Sequence, residues 1–162
     1  YADSLSASAI NKPILLVGDK LTDEQLAYIG RYDIENIYVI GGTVAVKDAV
    51  VKQIKDRYAK FNVERIAGNT RYATSVAIAE KFFGTKVAAV TLTCGTNFPD
   101  GLSGGPLAVK MGTPMLLVNG TSVNAKNYVQ QNGIKKAIVL GDVAVISDDE
   151  VMDILTTPIA GE

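Results

Sequence analysis

Histidine is absent from the 162 residues and cysteine occurs once, at Cys94. These two gaps remove imidazole chemistry, the usual zinc sets, Cys–His nucleophile pairs and any disulfide within the chain. Any metal would need oxygen ligands alone; none is expected, nor is a cofactor. Tryptophan is missing and the aromatics are seven Tyr and four Phe, too sparse for a base-stacking platform. With 16 basic and 17 acidic residues the net charge is -1, which makes no field that draws a nucleic acid. The longest apolar runs, such as 13–17 and 114–118, reach about five residues where a bilayer span needs about 20, and the N-terminus has no signal-peptide pattern. Because the chain starts at Tyr1 rather than Met, it is expected to be a piece of something longer. A single thiol fits the cytosol or the surface of a bacterium that makes few disulfides.

What is present is a globular composition, 48% hydrophobic and 20% charged, which excludes global disorder. The length suits one domain or an incomplete pair. The chain also repeats itself. Tyr1-Ala2-Asp3-Ser4-Leu5-Ser6 answers Phe98-Pro99-Asp100-Gly101-Leu102-Ser103, and Pro13-Ile14-Leu15-Leu16-Val17 answers Pro114-Met115-Leu116-Leu117-Val118. Ile34, Val39, Gly41, Asp48, Val51 and Ile54 recur as Ile134, Val139, Gly141, Asp148, Val151 and Ile154. The offsets are 97 (Tyr1 to Phe98), 101 (Pro13 to Pro114) and 100 (Ile34 to Ile134). Residues 63–96 have no counterpart ahead of Tyr1. The expected organisation is therefore the C-terminal portion of one unit, 1–62, followed by a complete unit, 63–162.

Short β-branched runs alternate with helical periodicity, which predicts an α/β fold of βαβ repeats with parallel strands. Strands are expected at 63–67, 87–93, 114–118 and 136–140, and in the first unit at 13–17 and 36–40. Tyr72, Val76, Ala79 and Phe83 line one helix face behind the cap candidates Asn69 and Thr70. Helices are also expected up to about Ile10 and over 22–31 and 47–59. Thr22 to Gln25 and Ser147 to Glu150 have capping-box spacing.

Four segments invite a functional reading. The loop Thr93 to Asp100 follows a strand at its carboxyl end, where open α/β sheets place ligands, and Asn97 and Asp100 offer hydrogen-bonding groups; a cap and a stiffened turn are the plainer reading. Gly41-Gly42-Thr43 and Gly141-Asp142-Val143 end strands but match neither the dinucleotide fingerprint nor a Walker loop, so they read as turns. Pro13 to Leu16 and Pro114 to Leu117 read as central strands buried on both faces. Arg65 and Arg71, two of four arginines, flank one strand-to-helix turn, and their forks suit carboxylate or phosphate. A structural ion pair with an acid of the neighbouring unit competes evenly with that reading. No acid, base and nucleophile converge by any spacing.

Taken together, Arg65 to Ser75, then Phe98-Pro99-Asp100-Gly101-Leu102-Ser103, then Pro114 to Val118, and the Gly41-Gly42 element with Ala45-Val46 resemble the type 2 cell wall-binding repeat of clostridial S-layer and cell wall proteins and of some wall amidases. The resemblance covers nearly the whole chain. It implies a non-catalytic, extracellular module of Toprim-like fold, partnered by further copies of the repeat in the parent chain as a pseudo-trimer or by homo-oligomerisation, that holds a protein on an anionic polysaccharide of a Gram-positive wall or S-layer. The acidic set of Toprim enzymes is absent. The family's Pro-Ile-Leu-Leu motif is matched by Pro13, Ile14, Leu15 and Leu16 and, with Met for Ile, by Pro114, Met115, Leu116 and Leu117. On this resemblance Arg65 and Arg71 would pair with acidic groups of the polymer, and Thr74, Asn97, Asp100 and the matching Asp3 would bond sugar hydroxyls. Gly41, Gly42 and Gly141 would shape the strand ends, with Asp142 and Thr70 as departures. The competing readings are an S-layer assembly module without glycan contact and a small nucleotide- or sugar-phosphate-binding enzyme domain.

Overall fold

A computed structural model describes residues 2–96 and 99–156 of the chain. Its elements run α1 (Ala2–Ser8), α2 (Asp23–Gly30), β1 (Asn36–Ile40), α3 (Asp48–Arg57), β2 (Asn62–Ile66), α4 (Arg71–Phe82), β3 (Val90–Cys94), α5 (Pro99–Met111), β4 (Met115–Val118), α6 (Val123–Gln131), β5 (Ala137–Leu140) and α7 (Asp148–Leu155). Every strand pairing is parallel, since a helix intervenes between paired strands. β1 lies beside β2 with Asn36 opposite Asn62 and Ile40 opposite Ile66. A second sheet has the order β4-β3-β5, with Thr91 opposite Met115 and Val90 opposite Ala137. The expected α/β class with parallel strands is what the chain adopts.

Local chemistry sets the helix starts. At α2, Thr22 Oγ1 accepts from the Gln25 backbone N–H at 3.2 Å while the Gln25 side-chain Oε1 accepts from the Thr22 backbone N–H at 3.0 Å, a complete capping box. Thr70, rather than Asn69, caps α4 by accepting from Ala73 N–H. Ser147 likewise caps α7 through the Glu150 N–H. The Glu150 side chain does not return to complete that box, because it is committed to the loop after β4.

All five residues of β3 are buried, as expected for a strand between two others with helices on both faces. Period-two alternation divides β4 between the two cores. Leu116 and Val118 join Val90, Leu92, Tyr128, Val129 and Ile154, whereas Met115 and Leu117 join Leu5, Ala9 and Ala108. Leu5 of α1 thus buries itself against α5, with a terminal methyl 3.1 Å from where a Cβ on Gly101 would stand. A third core, Leu21, Ile29, Val50, Ile54 and Phe61, lies under β1 and β2, and a fourth joins Ala7, Ile66 and Ile78.

Two expectations about the proline-led runs need correction. β4 is an edge strand of its sheet rather than a central one. It is nonetheless fully buried, because α4 lies along its outer edge and Ser75 Oγ accepts from the Leu117 N–H at 3.1 Å. The first run, 13–17, is not a strand at all but an irregular segment. Its physical reason is the missing neighbour: among the described residues nothing stands where β3 stands beside β4, and Ile14, Leu15 and Leu16 are 45%, 40% and 54% exposed.

Candidate functional site

Parallel strands put all their carboxyl ends on one side, so the loops that follow β1, β3 and β5 form a common rim for each sheet. Gly41 and Gly141 end β1 and β5 with φ of 109° and 143°, a region that disfavours any side chain. An acidic residue from the first turn of a helix faces each glycine. Asp3 Oδ2 lies 2.8 Å from where a Cβ on Gly41 would be, and Asp100 Oδ2 lies 3.6 Å from the same point on Gly141. Asp3 Oδ1 is buried without a hydrogen-bond partner. Beyond the glycines the two turns are alike: the Gly42 carbonyl accepts from Ala45 and Val46 N–H, and the Asp142 carbonyl from Val145 and Ile146 N–H. Gly42 has open space around it, so Asp142 fits the same turn and adds a bond from Ala144 N–H at 2.8 Å.

The two arginines do different work. Arg65 donates from Nη1 to the Gly41 carbonyl at 2.7 Å and from Nη2 to Asp48 at 2.9 Å, and its side chain is only 22% exposed. It clamps β2 onto the end of β1 and the start of α3 and makes an ion pair with Asp48, the structural role that competed with the ligand reading. Arg71 donates from Nη1 to the Gly95 carbonyl at 2.6 Å, at the end of β3, and remains exposed. That one bond anchors a guanidinium whose fork is suited to an anionic group.

Thr74 is buried, and its hydroxyl accepts from Gly68 N–H at 3.0 Å, tying down the turn ahead of α4. Asn97 lies outside the described residues. Of the residues expected to meet a ligand, the structure therefore leaves Arg71 exposed and Asp100 half-buried at neighbouring strand ends, holds Arg65 and Asp3 in internal contacts, and encloses Thr74. Pro114 to Leu117 are core, as their apolar character implies; Pro13 to Leu16 lie at the surface.

Sequence reasoning missed Glu150. Its carboxylate is buried, accepts from Gly120 N–H at 2.6 Å and from Ser122 Oγ, and so fixes the loop at the carboxyl end of β4. The legible signal was its third position in the capping box, which points to a different partner. A hydrogen bond from Lys81 to Glu64 raises the lysine pKa, and burial raises that of Tyr128. Among the described residues no group of three acidic or sulfur ligands could hold a metal. Two surface depressions, one at Lys55, Tyr58, Phe61 and Asn62 and one at Glu64, Arg65, Ala77 and Lys81, are open to solvent. The chemistry on the rim is hydrogen bonding and charge pairing.

The chain is 34% identical over 155 residues to the N-acetylmuramoyl-L-alanine amidase LytC of Bacillus subtilis (strain 168), covering 91% of this chain and 30% of the amidase. It is 36% identical over 120 residues to the amidase enhancer of the same organism, covering 74% of this chain and 16% of that protein. Among solved structures, Cwp6 from Clostridium difficile superposes with a TM-score of 0.82 at 26% identity, over 94% of this chain and 26% of Cwp6. Cwp8 from the same organism shares the fold with a TM-score of 0.79 at 22% identity, over 96% of this chain and 28% of Cwp8. The chain thus spans under a third of each of these relatives. The model of one family matches residues 1–51 and 65–151, and on that match the chain belongs to the cell wall binding domain 2 family.

Proposed function

We propose that this chain is a non-catalytic anchoring module that binds an anionic polysaccharide of a Gram-positive cell wall non-covalently, outside the cell. The family match over both stretches of the chain carries this reading. Residues 1–62 are the C-terminal portion of one repeat and residues 63–162 a complete repeat, in keeping with the two matched stretches. Arg71, exposed at the end of β3, and Asp100, at the end of the adjacent β5, are the side chains best placed to meet the polymer. Each contact on so open a rim is weak, and retention builds from several repeats engaging one repeating polymer at high effective concentration. The amidase and amidase-enhancer relatives contain much more chain than this module covers.

The test is co-sedimentation with wall sacculi, with and without their anionic polymer, at low and high salt. Pelleting that requires polymer and is released by salt supports anchoring. Arg71→Ala should lower the retained fraction several-fold while leaving the module folded; unchanged retention removes Arg71 from the site. Exposed apolar side chains such as Ile14, Leu16 and Leu102 favour a second reading, an assembly module without glycan contact. Concentration-dependent oligomers with no pelleting would select it.

A further inference from the structure

Two Asn–Gly pairs occur in the chain, Asn119-Gly120 and Asn132-Gly133. In such a pair the glycine backbone nitrogen can attack the asparagine side-chain carbonyl carbon, because no glycine side chain hinders the approach. On sequence the two pairs are alike; the structure separates them. Asn132 is the C-cap of α6, and its side chain points back along the helix, donating from Nδ2 to the Tyr128 carbonyl at 2.7 Å. The Gly133 N–H donates to the Gln130 carbonyl at 3.1 Å. The electrophilic carbon is thus turned away from the nucleophile, whose partner is a neutral carbonyl that takes up no proton.

Asn119 is arranged the other way. It is exposed in the loop that follows β4, and its Oδ1 accepts from the Ser122 N–H and the Thr121 hydroxyl, each at 3.4 Å, so the side chain folds forward over Gly120. Its own N–H donates to Ser122 Oγ at 3.1 Å. The Gly120 N–H donates to Glu150 Oε1 at 2.6 Å, within reach of a general base. Glu150 is buried and also accepts from Ser122 Oγ, which fixes the carboxylate in place. A nucleophile, a base and two donors on the oxygen where charge develops therefore converge on one carbon, as in an acyl-transfer site.

We propose that Asn119-Gly120 is a self-modifying site, at which Glu150 promotes conversion of Asn119 to aspartate and isoaspartate. As Gly120 N forms a bond to Asn119 Cγ, its proton passes to Glu150, and the Ser122 N–H and Thr121 hydroxyl hold the charge that develops on Oδ1. Glu150 then returns the proton to Nδ2, the Cγ–Nδ2 bond breaks and ammonia leaves, closing a cyclic imide. Water opens the ring. Addition at Cγ gives aspartate, and addition at the Asn119 backbone carbonyl gives isoaspartate, whose main chain runs through the former side chain. The sum is an amide and water going to a carboxylic acid and ammonia, with Glu150 regenerated. Either product places a new negative charge at the carboxyl end of β4, on the side of the sheet where Arg71 meets the end of β3. That charge opposes an anionic polymer, a consequence that rests on the anchoring reading; the modification itself does not.

The experiment incubates the chain at neutral pH, folded and unfolded in urea, and follows conversion at each asparagine by peptide mass and by isoaspartate labelling. Asn119 should convert on the order of 10-fold faster in the folded chain than in urea, because the base is positioned only by folding. Asn132 should convert more slowly folded than unfolded. Glu150→Gln keeps an acceptor for Gly120 N–H but takes up no proton, and should slow Asn119 by about 10-fold or more in a chain that circular dichroism shows to be folded. Thr121→Ala, at an exposed position, should slow it several-fold. Faster conversion in Glu150→Gln would mean that the carboxylate shields the pair, and would overturn the proposal. Equal rates at Asn119 in the folded and unfolded chains, or unchanged rates in both variants, would overturn it too. Sacculus retention of the converted and unconverted chains is read separately: equal retention removes the effect on the rim, while the mass measurement decides the modification whether or not the chain binds polymer.

Discussion

Glu150 occupies the third position of α7, where its side chain would ordinarily turn back to the cap. Instead it spans the sequence to hold Gly120 N–H and Ser122 Oγ, and burial makes that choice consequential. Glu150→Ala should cost about 2 to 3 kcal/mol in urea unfolding, because a buried N–H and hydroxyl lose a charged acceptor. Glu150→Gln, which keeps an acceptor, should cost less than half as much; equal losses would mean that packing, not hydrogen bonding, sets the effect. Tyr128 supplies a pH dependence. Its hydroxyl donates to the Gly84 carbonyl at 3.0 Å, and burial, with Glu80 nearby, pushes its pKa above the usual value of 10.0. The folded state therefore holds this proton more tightly than the unfolded state, so its contribution is fully present below about pH 10 and is lost as pH rises further. Tyr128→Phe should flatten the alkaline fall in melting temperature while leaving its profile between pH 7 and 9 parallel to the parent. A parallel fall above pH 10 as well would assign the alkaline loss to another group.

At the scale of elements, the turn from β2 into α4 lies between the two arginines of interest, Arg65 and Arg71. Gly68 allows it: a Cβ there would lie 2.6 Å from the Ala73 carbonyl carbon and 2.8 Å from Thr74 N, backbone atoms that cannot swing aside. Gly68→Ala should destabilise by about 1 to 3 kcal/mol and disturb the Thr74 hydroxyl bond to residue 68. A melting temperature within a degree of the parent would show that the turn relaxes freely. Helix boundaries were legible because their causes are local, as the Thr22 box and the Thr70 cap show. Strand status was less legible: 114–118 and 13–17 carry one pattern, and among the described residues only the former pairs with a neighbouring strand.

For the molecule as a whole, the two arginines separate stability from binding. Arg65 joins β2 to the end of β1 and to α3, so Arg65→Ala should lower unfolding stability by about 1 to 2 kcal/mol, the ion pair itself counting little at a partly exposed site. Arg71→Ala, which removes a single bond to the Gly95 carbonyl from an exposed side chain, should cost less stability, about 1 kcal/mol or under, and lower wall retention; identical behaviour of the two variants would reject this division. The sequence by itself determined the α/β class with parallel strands, the internal period near 100 residues and the exclusion of imidazole and thiol–imidazole chemistry, because periodicity, duplication and composition are properties of the chain alone. The tertiary structure alone decided which arginine is tied up, that Thr74 is enclosed, where the Glu150 carboxylate goes, and that 13–17 lies bare while its twin is buried. Each depends on a partner many residues away or on one missing from its place, and no local pattern encodes a distant neighbour.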